Sequence, residues 1–475
     1  MSPKEYQTYD AVGLAQLVRD GSVTPQALLD AAIEQVERIN PRVNAVVNKL
    51  YDHARGAIAA GLPDGPLRGV PFMLKDLYAL CTGTVSSNGS RFFAGNLADH
   101  DSEMVARYKR GGLVIMGRTN TPEFGLTVTT EPRLFGPTRN PWKLDSMAGG
   151  SSGGAAAAVA SGMLPVAHAS DGGGSIRIPA SCCGVFGLKP TRGRNPQGPD
   201  RGEGWSGMST EHVVSRSVRD SAALLDLTCG PDRGAPYFAT PPVRPFLSEV
   251  GAPAGQLKIG LALRTPAGEA IDPECERAAR DAARLCESLG HRVEEVRLDG
   301  MPEEFGAAFR VIIAGNIRTA IELHAVKIGC QPQAGDLEGV TAAMFDAGAK
   351  ASAADYARAV LTIHKTGRVV AQWFEKFDVL LSATLSEPPK KLGVFDMNTD
   401  DFDLYGRHVA RFTAFTSWFN ASGNPAMSVP LHWSSDGLPI GVQVGGRYGD
   451  EATLLRLAAQ LEQARPWAKR RPELS

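Results

Sequence analysis

Two serines of this chain, Ser151 and Ser175, each stand among glycines. The first lies in Gly149-Gly-Ser-Ser-Gly-Gly154 and the second in Asp171-Gly-Gly-Gly-Ser-Ile-Arg177. Because glycine has no side chain, backbone N–H groups there can approach a substrate closely, and consecutive N–H groups that point one way bind an oxyanion. The second motif therefore predicts an oxyanion hole built from the N–H groups of Gly172, Gly173, Gly174 and Ser175.

A serine hydroxyl becomes a good nucleophile only when a nearby base takes its proton. None of the nine histidines lies in a motif that marks it as that base. Lys75 instead follows the apolar run Gly69-Val-Pro-Phe-Met-Leu74, which predicts a buried strand end. Burial disfavours the charged form of a lysine and lowers its pKa from about 10.4, and a neutral lysine can act as a general base. The sequence therefore predicts that Lys75 is the base.

Further sequence blocks accompany these motifs. Together with the two serine motifs and the segment that ends at Lys75, these blocks resemble the amidase signature family over most of the chain, most strongly from Lys75 to Arg194. The blocks are Gly117-Arg-Thr-Asn120, Thr138-Arg-Asn-Pro-Trp142, Gly187-Leu-Lys-Pro-Thr191, Gly423-Asn-Pro-Ala-Met-Ser-Val-Pro430 and Gly437-Leu-Pro-Ile-Gly-Val-Gln443.

The resemblance implies a relay of three side chains. Ser175 would be the acylated nucleophile, Ser151 the bridging serine behind a cis Gly150–Ser151 peptide bond, and Lys75 the base. The relay would then run backward to protonate the leaving amine before water releases the acid. The implied reaction is hydrolysis of a carboxylic amide C–N bond, with esters and carbamates as further substrates and with no metal or organic cofactor.

The resemblance also implies roles for the neighbours of the relay. Gly125 and Ser151 are expected to contact the substrate, and Gly150, Ser152, Asp171 and Arg177 to support the site. Asp171 and Arg177 should hydrogen-bond the glycine loop into one shape. The family commonly has Thr, Ile or Ala where this chain has Gly172, but a glycine leaves the N–H in place.

Within the family, Thr129-Thr-Glu-Pro132 and Arg139-Asn-Pro-Trp142 look most like bacterial amidases of the 6-aminohexanoate cyclic-dimer hydrolase type. Residues 302–411 match that type weakly, and Ile313 stands where that type has a pocket cysteine. The substrate therefore stays open. A small pocket with an arginine would indicate an acidic substrate, and Arg310 and Arg318 are the first arginines of this region to consider for it.

Two alternative functions remain at this point. The segment Gly150-Ser-Ser-Gly-Gly154 also fits the G-x-S-x-G elbow of an α/β-hydrolase, with Ser152 as nucleophile, although the residues before it have the pattern of a loop. A glutaminase subunit of a tRNA-dependent amidotransferase would share the relay but would need partner subunits. Ammonia release that depends on an added partner would favour that second alternative.

Hydrophobic patterning predicts the elements that position these residues. Strands are expected at 69–74 and 112–116 with a helix at 103–109 between them, which indicates βα units and a largely parallel arrangement there. Thr24 before Pro25 predicts a helix start, and Asn40-Pro41 predicts the end of that helix. Further strands are expected at 257–262, 379–382 and 437–444, and a long helix at 273–289.

The expected fold class is α/β. The resemblance implies a mixed, twisted β-sheet of about eleven strands covered by helices on both faces. We expect one amidase domain over residues 1–475, with the catalytic signature core at 65–195 and a variable, substrate-facing helical region at 302–411.

Composition excludes several other classes of protein. A formal net charge of −1 gives no basic surplus for nucleic acid or an anionic membrane. The seven cysteines include no CxxC pair and no Cys/His metal spacing, which is typical of reduced thiols in a cytoplasmic protein. No apolar stretch reaches the ~20 residues that cross a membrane. The expected partners are a small-molecule amide and water, and a homodimer stays open.

Overall fold

The computed structural model describes residues 1–474. The strands are β1 (Val46–Lys49), β2 (Pro71–Lys75), β3 (Val114–Thr119), β4 (Arg139–Asn140), β5 (Lys143–Met147), β6 (Val166–Asp171), β7 (Phe186–Lys189), β8 (Thr210–Ser215), β9 (Lys258–Ala262), β10 (Arg292–Val296), β11 (Val379–Ala383), β12 (Ala426–Trp433) and β13 (Pro439–Gly446). The helices are α1 (Pro3–Tyr6), α2 (Ala11–Arg19), α3 (Pro25–Val43), α4 (Tyr51–Ala59), α5 (Glu103–Arg110), α6 (Gly153–Ala160), α7 (Arg177–Cys183), α8 (Val218–Thr228), α9 (Pro273–Ser288), α10 (Phe305–Ile328), α11 (Gly339–Lys350), α12 (Ala353–Trp373), α13 (Phe402–Phe412), α14 (Ser417–Ser422) and α15 (Glu451–Ala464).

The strands form one large sheet and two small ones. The large sheet has 8 strands in the order β10-β9-β11-β13-β12-β7-β8-β6, and a 3-stranded sheet has the order β1-β3-β2. β2 lies beside β6, so the two sheets follow each other through the molecule. The expected sheet of about eleven strands is thus divided into one sheet of eight strands and one of three. β4 and β5 form a separate hairpin.

The large sheet is mixed, as expected. β9 pairs in parallel with β10 and β11, whereas the pairs from β11 through β13, β12, β7 and β8 to β6 are antiparallel. The parallel arrangement predicted for the strands near 69–74 and 112–116 is found in β2 and β3, which pair in parallel.

Two hydrophobic cores lie along this series of sheets. One packs α3, α6 and β2 and β3 together, and every residue of α6 is buried within it. The other packs α9 and α15 against β9, β11, β12 and β13. Since α6 starts directly after Ser152, its burial anchors the segment that carries Ser151.

The first long helix begins where the sequence predicts and ends later. Thr24 accepts a hydrogen bond from the N–H of Ala27, and Pro25 is the first helical residue. The predicted end at Asn40-Pro41 is wrong, because α3 continues to Val43. The side-chain oxygen of Asn40 accepts the N–H groups of the two residues at 45 and 46, and Asn44 closes the helix with a φ of 51°.

Residues 302–411 are mostly helical, as predicted, through α10, α11, α12 and most of α13. The range also contributes β11 to the middle of the large sheet. No helix in the described part of the chain has both the length and the apolar character needed to cross a membrane.

Candidate active site

The ends of β2 and β6 and the start of α6 bring three of the predicted side chains together. Lys75 ends β2 and is fully buried. Its Nζ lies 2.7 Å from Oγ of Ser151 and 3.0 Å from Oγ of Ser170, a residue of β6. The Gly150–Ser151 peptide bond is cis, as the resemblance implies.

Burial changes the charge of Lys75. Desolvation lowers the pKa of its amine to about 7, while the carboxylates of Asp171 and Glu211 act in the opposite direction. A substantial fraction of the Lys75 amines is therefore neutral at neutral pH. A neutral amine beside a serine hydroxyl can take its proton.

Ser175 lines the same cavity as Ser151. We call this space the site cavity. Its other lining residues are Leu77, Tyr78, Phe124, Gly125, Ser170, Gly172, Arg201, Gly204, Trp205, Ser209 and Glu211. Within residues 1–474 no hydrogen bond joins the two hydroxyls of Ser151 and Ser175, and a catalytic contact of this kind commonly tightens only around a substrate.

The glycine loop before Ser175 supplies backbone donors, with one exception. Among the hydrogen bonds of the described chain, the N–H groups of Gly172, Gly173 and Ser175 have no partner. The prediction that Gly174 contributes a free donor to the oxyanion hole is wrong, because the Gly174 N–H donates to Oδ1 of Asp171 at 2.7 Å. Its φ of 132° also needs a glycine.

Asp171 and Arg177 hold this loop, as expected of them. The Arg177 guanidinium donates to both Asp171 oxygens, each at 3.0 Å, and to the side chains of Asn420 and Gln443, each at 2.7 Å. Burial alone would raise the pKa of Asp171, but Arg177 lowers it to about 2, so Asp171 is ionised. The ion pair fixes the loop to segments near the other end of the chain.

Gly125 and Gly150 allow close approach of the backbone to Ser151. A Cβ at Gly125, which has a φ of +70°, would lie 3.0 Å from Oγ of Ser151. A Cβ at Gly150 would lie 2.3 Å from the carbonyl oxygen of Thr129. Both positions therefore need a glycine next to the bridging serine.

Ser152 is a structural residue. Its side chain is fully buried, and its Oγ donates to the Ser170 carbonyl at 3.2 Å and accepts the Ser170 N–H at 3.3 Å. With its hydroxyl used by the backbone of β6, Ser152 is not placed to attack a substrate. The structure thus argues against the α/β-hydrolase alternative.

Sequence reasoning missed a chain of polar groups behind Lys75. The Lys75 N–H donates to Nδ1 of His168 at 3.2 Å, so the ring proton lies on Nε2, which faces Glu211 at 3.1 Å. Glu211 also accepts from Arg201 at 3.2 Å, and Arg201 stacks on the ring of Tyr78 with 4.6 Å to its centroid. These residues have no local motif, and tertiary contacts among β2, β6, β8 and the loops that carry Tyr78 and Arg201 bring them together.

The arginine at the cavity is thus Arg201. Neither Arg310, which is exposed, nor Arg318, which pairs with Glu322 and stacks on Phe345, lines this cavity. Ile313 packs into the apolar cluster that includes Phe124, whose ring lines the cavity.

Comparisons with known proteins agree with this site. The family model named Amidase matches residues 27–455. The chain is 41% identical over 482 residues to the 6-aminohexanoate-cyclic-dimer hydrolase of Pseudomonas sp. strain NK87, covering 98% of this chain and 96% of that protein. A solved 6-aminohexanoate cyclic dimer hydrolase superposes with a TM-score of 0.93 at 39% identity, covering 98% of this chain and 99% of that one. A bacterial aryl acylamidase of the amidase signature family gives a TM-score of 0.87 at 31% identity, covering 97% of both chains.

The fold and the family together define a hydrolase that acts on small-molecule amides. The chain belongs to the amidase signature family, and its reaction is the hydrolysis of a carboxylic amide C–N bond. The comparisons do not favour the glutaminase-subunit alternative or the α/β-hydrolase alternative.

Proposed function

We propose that Lys75, Ser151 and Ser175 form the catalytic relay of this amidase. The observation that carries the proposal is the 2.7 Å contact between the fully buried Lys75 amine and Ser151, whose hydroxyl opens onto the cavity that Ser175 lines. The neutral amine takes the Ser151 proton while Ser151 takes that of Ser175. The freed Ser175 oxygen then attacks the carbonyl carbon.

The carbonyl electron pair moves onto the oxygen as this bond forms. The free N–H groups of Gly172, Gly173 and Ser175 stabilise that charge, and a donor of this kind is typically worth about 3–4 kcal/mol. When the C–N bond breaks, the proton held on Lys75 passes through Ser151 to the leaving amine. Water then attacks the acyl-enzyme by the same route and releases the acid.

For the substrate, we propose a neutral amide with an aliphatic, unbranched backbone, of the class that includes the cyclic dimer of 6-aminohexanoate. The 41% identity to the Pseudomonas cyclic-dimer hydrolase supports this, as do the apolar side chains of Leu77, Phe124 and Trp205 in the cavity. Phe309 belongs to residues 302–411, and its ring lies close to the glycine loop, since a Cβ added at Gly173 would be 3.3 Å from the Phe309 ring. This closeness supports a substrate-facing role for the region.

Incubation of the purified chain alone with 6-aminohexanoate cyclic dimer tests the proposal. We expect new primary amine to appear without any partner protein, and none above background with Ser175→Ala. A Ser161→Ala protein is the matched control, because Ser161 ends α6 away from the cavity, and it should keep its turnover. Turnover that survives Ser175→Ala contradicts the relay. Turnover of aryl amides but not of the cyclic dimer contradicts only the substrate.

The proposal also covers the cellular location and the oligomeric state of the enzyme. The seven cysteines are free thiols in the described structure, which supports a cytoplasmic enzyme. We further propose that residues 1–475 act as one amidase domain, without nucleic acid. A homodimer stays a proposal that sedimentation of the purified protein would test.

A further inference from the structure

The indole of Trp205 fills the space that a side chain at position 172 would need. A Cβ at Gly172 would lie 2.7 Å from Cε3 and 2.7 Å from Cζ3 of that ring. Two carbons of a rigid ring cannot bend away as the end of a flexible chain can. Trp205 therefore packs directly on the backbone of Gly172, whose N–H has no hydrogen-bond partner in the described chain.

The loop holds this ring in place. Trp205, Ser206 and Gly207 have φ values of 52°, 51° and 77°, all in the left-handed region. Oγ of Ser206 lies 2.8 Å from the hydroxyl of Tyr356, and Nε of Arg192 donates to the Gly207 carbonyl at 2.6 Å. The indole also packs against a buried cluster that includes Met208 and, from α10, Ile312. It is a fixed wall of the site cavity.

The substituents of the tetrahedral carbon that forms when Ser175 attacks the amide indicate which part of the substrate lies against the indole. The amine nitrogen must face Ser151, which returns its proton, and the oxygen must face the free N–H groups. The acyl carbon is the remaining substituent, and the indole of Trp205, which lines the cavity next to the oxyanion donors, bounds the space left for it. The indole limits how many atoms that space can hold.

We propose that Trp205 is a specificity-determining residue that admits acyl groups with a CH₂ next to the carbonyl and excludes those branched at that carbon. The inference rests on the proposed acylation of Ser175. Gly172 is then the residue that makes room for the indole, in addition to its N–H.

Two p-nitroanilides, of butanoic acid and of 2-methylpropanoic acid, test the proposal because they share one leaving group and differ in branching. We expect Trp205→Ala to raise the kcat/KM of the branched substrate relative to the straight one by at least about tenfold, a typical discrimination for one displaced carbon. The ratio of the two values does not depend on the fraction of protein that is folded. Trp205→Phe serves if the alanine variant is inactive.

Gly172→Ala gives the second half of the test. Its Cβ should push the indole into the cavity and lower kcat/KM for both substrates, and the double variant Gly172→Ala with Trp205→Ala should recover activity over Gly172→Ala alone. Trp373→Ala is the matched control, because Trp373 packs on Trp418 at the far end of α12, and it should leave the ratio unchanged.

Two results would overturn the inference. One is a substrate ratio that Trp205→Ala and Trp205→Phe leave at the wild-type value, and the other is a Gly172→Ala defect that the double variant does not relieve. In either case, release of p-nitroaniline that still requires Ser175 leaves the proposed function standing. Release that Ser175→Ala does not affect would instead contradict the proposed function itself.

Discussion

At the scale of single residues, the proposed relay depends on a lysine whose charged form is disfavoured by burial. Burial lowers the pKa of Lys75 to about 7, and the nearby carboxylates of Asp171 and Glu211 partly oppose that shift. Asp171 is committed to Arg177 and the glycine loop. Glu211 is thus the carboxylate through which the pKa of the base can be changed with the loop intact.

We expect Glu211→Gln to move the acidic limb of the pH profile of kcat/KM to lower pH. The active form of Lys75 is neutral, so activity rises as pH rises through its pKa. Glu211 favours the ammonium form, and its removal lowers that pKa further. Glutamine still accepts the proton of His168 Nε2, so the contact behind Lys75 is kept.

The measurement is kcat/KM against pH for wild type, for Glu211→Gln and for Glu322→Gln, which changes an exposed carboxylate on α10. The control profile should superpose on wild type. A limb that stays in place in Glu211→Gln, or that moves to higher pH, would show that Glu211 does not act on the base.

The residues of the proposed relay could be selected from the sequence, because serine among glycines and a lysine after an apolar run are local signals. Trp205, Arg201, His168 and Glu211 could not, since each reaches the cavity only through tertiary contacts. The prediction of Gly174 as a free donor failed because the sequence does not say where the side chain of Asp171 points.

At the scale of elements, α6 shows how composition fixes the position of Ser151. This helix consists of alanine and glycine with one valine, and all of it is buried. Small residues let it approach its neighbours closely. A Cβ at Gly154 would lie 2.3 Å from the backbone nitrogen of Asn120, just beyond β3.

Gly154→Ala and Gly56→Ala are the same change in two helices, and we expect opposite effects. Alanine is favoured over glycine inside a helix by roughly 0.5–1 kcal/mol. Gly56 in α4 has nothing within 4 Å of the added Cβ, so that variant should gain stability. Gly154→Ala should lose about 1–3 kcal/mol by overpacking and lower kcat as well.

Urea unfolding monitored by circular dichroism gives both free energies of unfolding. The explanation of α6 by close packing is wrong if Gly154→Ala is as stable as wild type. It is also wrong if the two variants shift in the same direction by similar amounts.

Strands were predictable where apolar residues run together, as in β2, β3, β9, β11 and β13. β6 has no such run, because its sequence Val-Ala-His-Ala-Ser-Asp consists mainly of small and polar residues. Every residue of β6 is nevertheless buried. β6 is buried on both sides between β8 and β2, so polar side chains that serve the site replace apolar ones there.

At the scale of the whole molecule, the site is closed by contacts between distant parts of the chain. Arg177 after the nucleophile bonds Asn420 and Gln443, and Arg194 forms a buried pair with Glu451 of α15 at 2.9 Å. The resemblance implied the fold class and the approximate number of strands. The resemblance did not imply that residues 196–209 would line the cavity. This loop has no hydrophobic periodicity from which its position could be predicted.

The most direct test of the relay is to trap its covalent intermediate. Acid quenching during turnover of butanoyl p-nitroanilide, followed by digestion and mass spectrometry, should find the butanoyl group on the peptide that contains Ser175. Ser175→Ala should carry none, and Lys75→Ala should accumulate none in the time of the wild-type burst. An adduct on a different residue, or an adduct that forms in Lys75→Ala at the wild-type rate, would contradict the account.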